Sequence, residues 1–148
     1  MAKTIVKNLT IKQLDSLEEM MATYPLVTQM YKEMDEKTYR TYVEEMIQVS
    51  NFKMICAFSG DKMVGVCGYF VLLMLYCGRY LQISNLVVDK DSRSLGVGSE
   101  LMHAAEKIGR SLGCKKFVLD SYTENKKSHS LYYREGFYIR GFHFMKDL

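Results

Sequence analysis

The chain has 148 residues, a length for one domain with a single core at ~100–200 residues per domain. Hydrophobic residues make up 48% and charged residues 25%, which excludes intrinsic disorder, and one proline with no Ser/Pro/Gly-rich tract leaves no linker or low-complexity segment. Twenty Lys+Arg against seventeen Asp+Glu give +3, which suits an anionic small ligand but not the strongly basic face of nucleic-acid binding.

In chain order, Thr4 to Ile11 alternates enough for a first strand. Gln13 to Tyr24 puts Leu14, Leu17, Met20, Met21 and Tyr24 on one helical face, and Pro25 interrupts or ends that helix, with Leu26 to Tyr31 able to resume it. Asp35 suits the N-cap of a second helix with Tyr39, Tyr42, Val43, Met46 and Ile47 as its buried stripe. From Phe52 the period changes to that of strands. Phe52 to Phe58, Met63 to Cys77 and Tyr80 to Val88 read as an antiparallel meander turned at Ser59 to Lys62 and at Gly78. Gly98 to Leu112 is a helix with Leu101, Ala104, Ala105, Ile108 and Leu112 inward, stopping near Gly113. Lys116 to Ser121 is a buried strand, Lys126 to Glu135 a short helix closed by Gly136, and Phe137 to Met145 a last strand. The order β-α-α-β-β-β-α-β-α-β predicts an α/β (α+β layered) domain over 1–148, with a mixed, mostly antiparallel central sheet flanked by helices.

Met1 to Lys12 has no continuous apolar run and is no secretory signal. Met63 to Gly78 is uncharged and mostly apolar, but it is shorter than the ~20 residues of a spanning helix and is broken by glycines. A cytoplasmic protein with no membrane partner is expected. Cys56, Cys67, Cys77 and Cys114 lie far apart in apolar runs, and His103, His129 and His143 have no ligand spacing to them. Buried free thiols and no metal site follow as expectations.

The stretch that points to chemistry is Leu86-Val87-Val88-Asp89-Lys90-Asp91-Ser92-Arg93-Ser94-Leu95-Gly96-Val97-Gly98, where a strand ends and a polar loop leads into a helix. Unpaired N–H groups at a helix N-terminus suit a phosphate or pyrophosphate, and Arg93 adds a charge-assisted contact. Gly98-Ser99-Glu100 lacks the lysine of a Walker A loop, and Leu101 stands where a dinucleotide fingerprint needs a third small residue.

Arg93-Ser94-Leu95-Gly96-Val97-Gly98 resembles the R-x-x-G-x-G/A acetyl-coenzyme A loop of the GNAT acetyltransferase superfamily, and it follows a Leu-x-Val strand end as that pattern requires. Asn125-Lys126-Lys127-Ser128-His129-Ser130-Leu131-Tyr132-Tyr133-Arg134-Glu135-Gly136-Phe137 resembles the family's N-x-x-A-x-x-L-Y-x-x-x-G-F segment, with Ser128 in the alanine position. The element order also matches, so the resemblance covers essentially the whole chain.

The resemblance implies an acetyl-coenzyme A-dependent N-acetyltransferase working by direct attack of a primary amine in a ternary complex, on a small-molecule or peptide acceptor. It also suggests a homodimer. Backbone groups of Leu86, Val87 and Val88, beside a bulge, would pair with pantetheine, and the Val88 N–H would polarise the thioester carbonyl. Arg93, Ser94, Leu95, Gly96, Val97, Gly98 and Ser99 would cradle the pyrophosphate, with Asn125 and Ser128 lining the pantetheine arm. Tyr132 would protonate the departing thiolate. Many family members carry a base Glu on the strand at Tyr80 to Val88; here the polar positions are Gln82, Ser84 and Asn85. Candidate bases elsewhere are Asp120, Glu124 and His129; His129, three residues before Tyr132 on one helix face, is the candidate proton relay, and a water held by the backbone or by Ser84 is the other option. The alternative on the same fold is an acyl-coenzyme A binding or sensing module with little turnover.

Overall fold

The first expected strand is found as β1, Leu9–Leu14, in a computed structural model that describes residues 8–148. The Thr4 to Lys7 part of that expectation lies outside the described residues. β1 runs antiparallel to β2, Lys53–Ser59, with Leu14 opposite Met54, so Gln13 and Leu14 belong to the sheet and not to the helix that periodicity assigns them. Helix α1, Leu17–Met21, starts only after Ser16. The Ser16 hydroxyl oxygen accepts from the Glu19 N–H at 3.2 Å, while Glu19 Oε2 accepts from the Ser16 N–H at 3.1 Å, and this reciprocal cap sets the helix start. Pro25 has no N–H for the carbonyl four residues back, so the chain restarts as α2, Tyr24–Val27, with the proline in its first turn. One expected helix is thus two short ones.

Asp35 caps α3, Glu36–Ser50, as expected: its Oδ1 accepts from the Thr38 N–H at 2.7 Å. Tyr39 and Val43 are buried and Met46 and Ile47 pack against the core, but Tyr42 is 54% exposed and falls outside the stripe.

β3, Lys62–Met74, and β4, Gly78–Val88, complete the antiparallel meander. The five strands stand in the order β1-β2-β3-β4-β5, where β5 is Lys116–Leu119. Helix α4, Val97–Ser111, joins β4 to its neighbour β5, the crossover that a parallel neighbour requires, so the sheet is mixed. Val64 to Gly68 of β3 are buried without alternation because both faces of the sheet are covered. On one face Met54, Cys56, Val66 and Val87 join Met20, Val27, Tyr39 and Val43 of the first three helices. On the other, α4 packs on β3 and β4 through Val97, Leu101, Met102, Ala105 and Gly109. Met102 and Gly109 thus belong to its inward face, whereas Leu112 is exposed. A Cβ on Gly65 would stand 2.8 Å from both Leu101 Cδ1 and Val97 Cγ1, so this glycine lets α4 approach the sheet.

Two compact units divide the chain, one ending at Val118 and a smaller one over Leu119–Leu148. The smaller unit contains α5, Lys126–Arg134, which has no buried residue. The last strand expected over Phe137 to Met145 is not formed: residues 137–148 carry no regular structure. Strand propensity is realised only against a ladder partner and a packed face, and here Phe142 and Phe144 are 84% and 91% exposed. All four cysteines are free thiols; Cys56 and Cys67 are buried, but Cys77 and Cys114 are only half-buried.

Candidate active site

The end of β4 is shaped by a bulge. Gly68 faces Asn85 and Tyr69 faces Ile83, so Ser84 is the extra residue. Beyond it, the Asp89 N–H donates to the Val64 carbonyl at 2.9 Å, in register with the pairs Val87–Val66 and Val88–Gly65. Hydrogen-bonded and non-bonded pairs alternate along an antiparallel ladder, so the N–H and C=O groups of Leu86 and Val88 point away from β3, toward the side of β5. β5 begins beside Arg79, whose carbonyl accepts from the Lys115 N–H at 2.6 Å. Its four residues span about 13 Å, whereas Val88 lies about 30 Å along β4 from Arg79. The outward backbone edge at Leu86–Val88 therefore lies beyond the last residue of β5, where β4 and β5 no longer run side by side.

After β4 the chain makes a 3₁₀ turn at Lys90–Ser92; Arg93 is then extended with ψ 150°, and Ser94 and Gly96 are left-handed at φ 65° and 89°. Gly96 is the N-cap of α4 and has no side chain to cap it, so the first amides of a 15-residue helix are left for an external acceptor. Gly96 adopts the left-handed conformation without steric cost because it has no Cβ, whereas Ser94 adopts it at a cost and is a strained position in the loop. Arg93 Nε donates to the Val88 carbonyl at 3.2 Å, which ties the loop back to the strand edge. The backbone amides and the arginine beside them suit an anion such as a pyrophosphate.

Sequence reasoning missed what holds this loop. Asp89 is buried, with Gln29 Nε2 donating to its Oδ1 at 2.9 Å and Lys62 Nζ donating to its Oδ2 at 2.9 Å. The Gln29 side chain and Lys62 hold the Asp89 carboxyl below the usual carboxylate range, and Asp89 in turn raises Lys62. Gln29 is sixty residues from Asp89, and no local pattern signals the pair. On the strand itself, Asn85 Nδ2 is buried with no hydrogen-bond partner, at a cost of about 1–3 kcal/mol for an orphan donor.

In the smaller unit, the second motif is internally coherent. Ser128 Oγ donates to Asn125 Oδ1 at 3.1 Å across the first turn of α5. At its other end the Gly136 N–H donates to the Tyr133 carbonyl and the Phe137 N–H to the Tyr132 carbonyl, with Gly136 at φ 87°. This is a Schellman stop, and its accompanying apolar contact is the edge-on packing of Phe137 against the Tyr132 ring at 6.3 Å. The Tyr-x-x-x-Gly-Phe spacing therefore has a direct physical meaning: it ends the helix and braces the tyrosine. His129 Nε2 lies 2.9 Å from the Tyr122 carbonyl. A carbonyl only accepts, so Nε2 carries the hydrogen and Nδ1 is the basic nitrogen of the neutral ring. Asp120 lies 3.5 Å from His143 Nδ1 instead. Among the described residues no group of three or more His, Cys, Asp or Glu is placed to hold a metal ion.

The profile of the Acetyltransferase (GNAT) family matches residues 15–137 of this chain. The chain belongs to that family and is an acetyl-coenzyme A-dependent N-acetyltransferase. It is 28% identical over 139 residues to the uncharacterized N-acetyltransferase YhdJ of Bacillus subtilis, covering 93% of this chain and 98% of that protein. It is 26% identical over 133 residues to the aminoalkylphosphonate N-acetyltransferase of Salmonella typhimurium, covering 88% and 86%. In fold it is similar to the aminoglycoside N-acetyltransferase AAC(6')-Iy in complex with CoA, with a TM-score of 0.79 at 18% identity over 95% of this chain and 96% of that one. A Trypanosoma brucei acetyltransferase structure superposes with a TM-score of 0.76 at 21% identity over 95% and 100%. As a family member, the protein transfers an acyl group from acetyl-coenzyme A to an amine.

Proposed function

We propose that the outward edge of Leu86–Val88 and the loop from Arg93 to Ser99 bind acetyl-coenzyme A for direct transfer of its acetyl group to a primary amine in a ternary complex. The observation that carries this reading is the uncapped start of α4 beside a strand edge that lies beyond β5. In it, the amides from Ser94 to Ser99 and Arg93 take the pyrophosphate, and the outward backbone groups of Leu86 and Val88 align the pantetheine arm; Val87, expected to share that role, has its backbone turned to Val66 of β3 instead. The Val88 N–H donates to the thioester carbonyl as negative charge grows there. Asn125 and Ser128 complete the pantetheine contacts, an assignment that rests on the family motif.

Attack by the amine forms the C–N bond and breaks the C–S bond; the amine loses a proton and the thiolate gains one. Tyr132 supplies the thiolate's proton, since a phenol with a pKa near ~10 keeps it at neutral pH. No carboxylate stands among Gln82, Ser84 and Asn85, so the amine's proton passes either to His129 as relay or to a water held at Ser84, which is exposed on the bulge. A covalent acyl-cysteine has little support. Burial pushes the Cys67 thiol up to about 12 and also raises Cys56 and Cys114, so these three stay protonated at neutral pH.

The relatives suggest a small-molecule amine as acceptor: the Salmonella protein is named for an aminoalkylphosphonate and a Sus scrofa relative for thialysine. The family match runs through both compact units, which supports one catalytic domain over 1–148.

Titration calorimetry with acetyl-coenzyme A, against ATP and NAD, tests the site. The expected result is micromolar binding of acetyl-coenzyme A alone, near −8 kcal/mol, lost in Gly98→Glu, which places a carboxylate among the anion-binding amides. Equal binding by the folded variant and the wild type would remove the assignment. Turnover with a panel of amines then separates an enzyme from a binding or sensing module.

A further inference from the structure

We infer that Gln29 is a positioning residue for the acetyl-coenzyme A loop: through its two-ended amide and Asp89 it clamps the point where β4 passes into that loop. The inference rests on the assignment of the loop to acetyl-coenzyme A.

Gln29 lies just past α2, held by its own N–H donating to the Leu26 carbonyl at 3.1 Å. α2 packs on β3 and β4, so its end stands beside the junction. The side chain acts in both directions at once. Nε2 donates to Asp89 Oδ1 at 2.9 Å, and Oε1 accepts from the Lys90 N–H at 3.0 Å. Asp89 is itself the knot of the junction: its N–H donates to the Val64 carbonyl at 2.9 Å, and its carbonyl accepts from the Ser92 N–H at 2.8 Å. Lys62 of β3 closes the second carboxylate oxygen. The segment from Val88 to Arg93 is thereby tied to the end of α2 and to the start of β3, and back on itself, immediately before the first left-handed residue, Ser94.

The chemistry at position 29 is specific to a glutamine amide. A leucine fills similar space but leaves a buried carboxylate oxygen and the Lys90 N–H without this partner. An asparagine is one methylene too short to span both contacts. A glutamate still accepts from Lys90 but sets a carboxylate against Asp89. Protonation of that introduced carboxyl restores a donor of almost the same shape, and the neighbouring Asp89 charge raises the pH at which this happens. The other charged groups around the cluster are Lys62 on β3 and Lys90, Asp91 and Arg93 on the loop; Asp91 contributes its backbone N–H to the Asp89 carboxylate. An anion cradle binds well only if its amides are already arranged, so a loosened junction weakens capture of the cofactor more than it slows the transfer step.

Calorimetry and steady-state kinetics on wild type, Gln29→Leu and Gln29→Glu test the proposal. In Gln29→Leu the dissociation constant and the KM for acetyl-coenzyme A rise about tenfold while kcat changes less than about threefold. In Gln29→Glu the same loss is present at pH 8 and shrinks to about twofold or less at pH 5, each value taken against wild type at that pH to cancel titration of the ligand's phosphates. This pH-dependent recovery is within one protein, so it decides the matter even if Gln29→Leu fails to fold. Wild-type affinity in Gln29→Leu, or a deficit in Gln29→Glu that does not change with pH, overturns the clamp while leaving the loop assignment standing. A wild type that binds no acetyl-coenzyme A overturns the loop assignment itself, and this inference with it.

Discussion

Tyr132 shows how much one side chain's surroundings say about its role. Its backbone carbonyl and ring are both used to stop α5, through the Phe137 N–H and the Phe137 ring, so the residue is braced whether or not its hydroxyl reacts. Tyr132→Phe keeps the ring contact and removes only the hydroxyl proposed as the acid. Its kcat is expected to fall by about 10²–10⁴-fold, with the KM for acetyl-coenzyme A changed little. As the proposed relay, His129 is expected to lower kcat when replaced in His129→Ala while leaving the KM for acetyl-coenzyme A little changed. Full turnover in Tyr132→Phe would remove it as the general acid, and an unchanged kcat in His129→Ala would leave that histidine only its bond to the Tyr122 carbonyl.

At the scale of the element, β3 and β4 depend on what is missing from Gly68. A Cβ there would stand 2.3 Å from Asn85 Oδ1 and 2.4 Å from Phe52 Cζ, both closer than real contacts allow. Phe52 is buried and packed against the tilted ring of Phe70, with ring centroids 5.1 Å apart, so it has little room to yield. Gly68→Ala is expected to cost about 1–3 kcal/mol in urea unfolding by overpacking, and to disturb the strand bulge directly opposite. An unchanged midpoint would show that the ring and amide can move aside. The bulge could be expected from the family resemblance, and the loop glycines and the helix-stopping Gly136 were legible because each answers to its immediate neighbours. Helix α1 starts later than periodicity predicts for a different reason: the spacing of Gln13 and Leu14 fits a helix, but their pairing with β2 outweighs it. The missing strand after Phe137 is the converse case, an apolar alternating segment with no ladder partner to realise it.

Over the whole molecule, the buried Asp89 ties together the end of α2, the start of β3 and the passage from β4 into the loop. Its pKa in the folded protein lies below the ordinary ~3.9. Its contribution to stability is therefore present above about pH 4 and is lost as pH falls through the lower folded value. Asp89→Asn should be less stable than wild type at pH 7, and the two unfolding midpoints should converge as pH drops from about 4 to 2. A constant gap across that range would mean that the carboxylate charge is not what holds the junction.

By itself the sequence determined the features set by near neighbours: the glycine-bearing start of α4, the Asp35 cap, the stop at Gly136 and Phe137, and with them the family and its chemistry. Those signals lie within a few residues of one another, the range over which capping, periodicity and turn preference act. Only the tertiary structure decided that Gln29 and Lys62 meet Asp89, that Gly68 admits Phe52 and Asn85, and that β5 ends short of Val88. Such contacts depend on strand register and on which faces pack together. A one-residue slip would turn each of these side chains to the other face, so no local pattern records them.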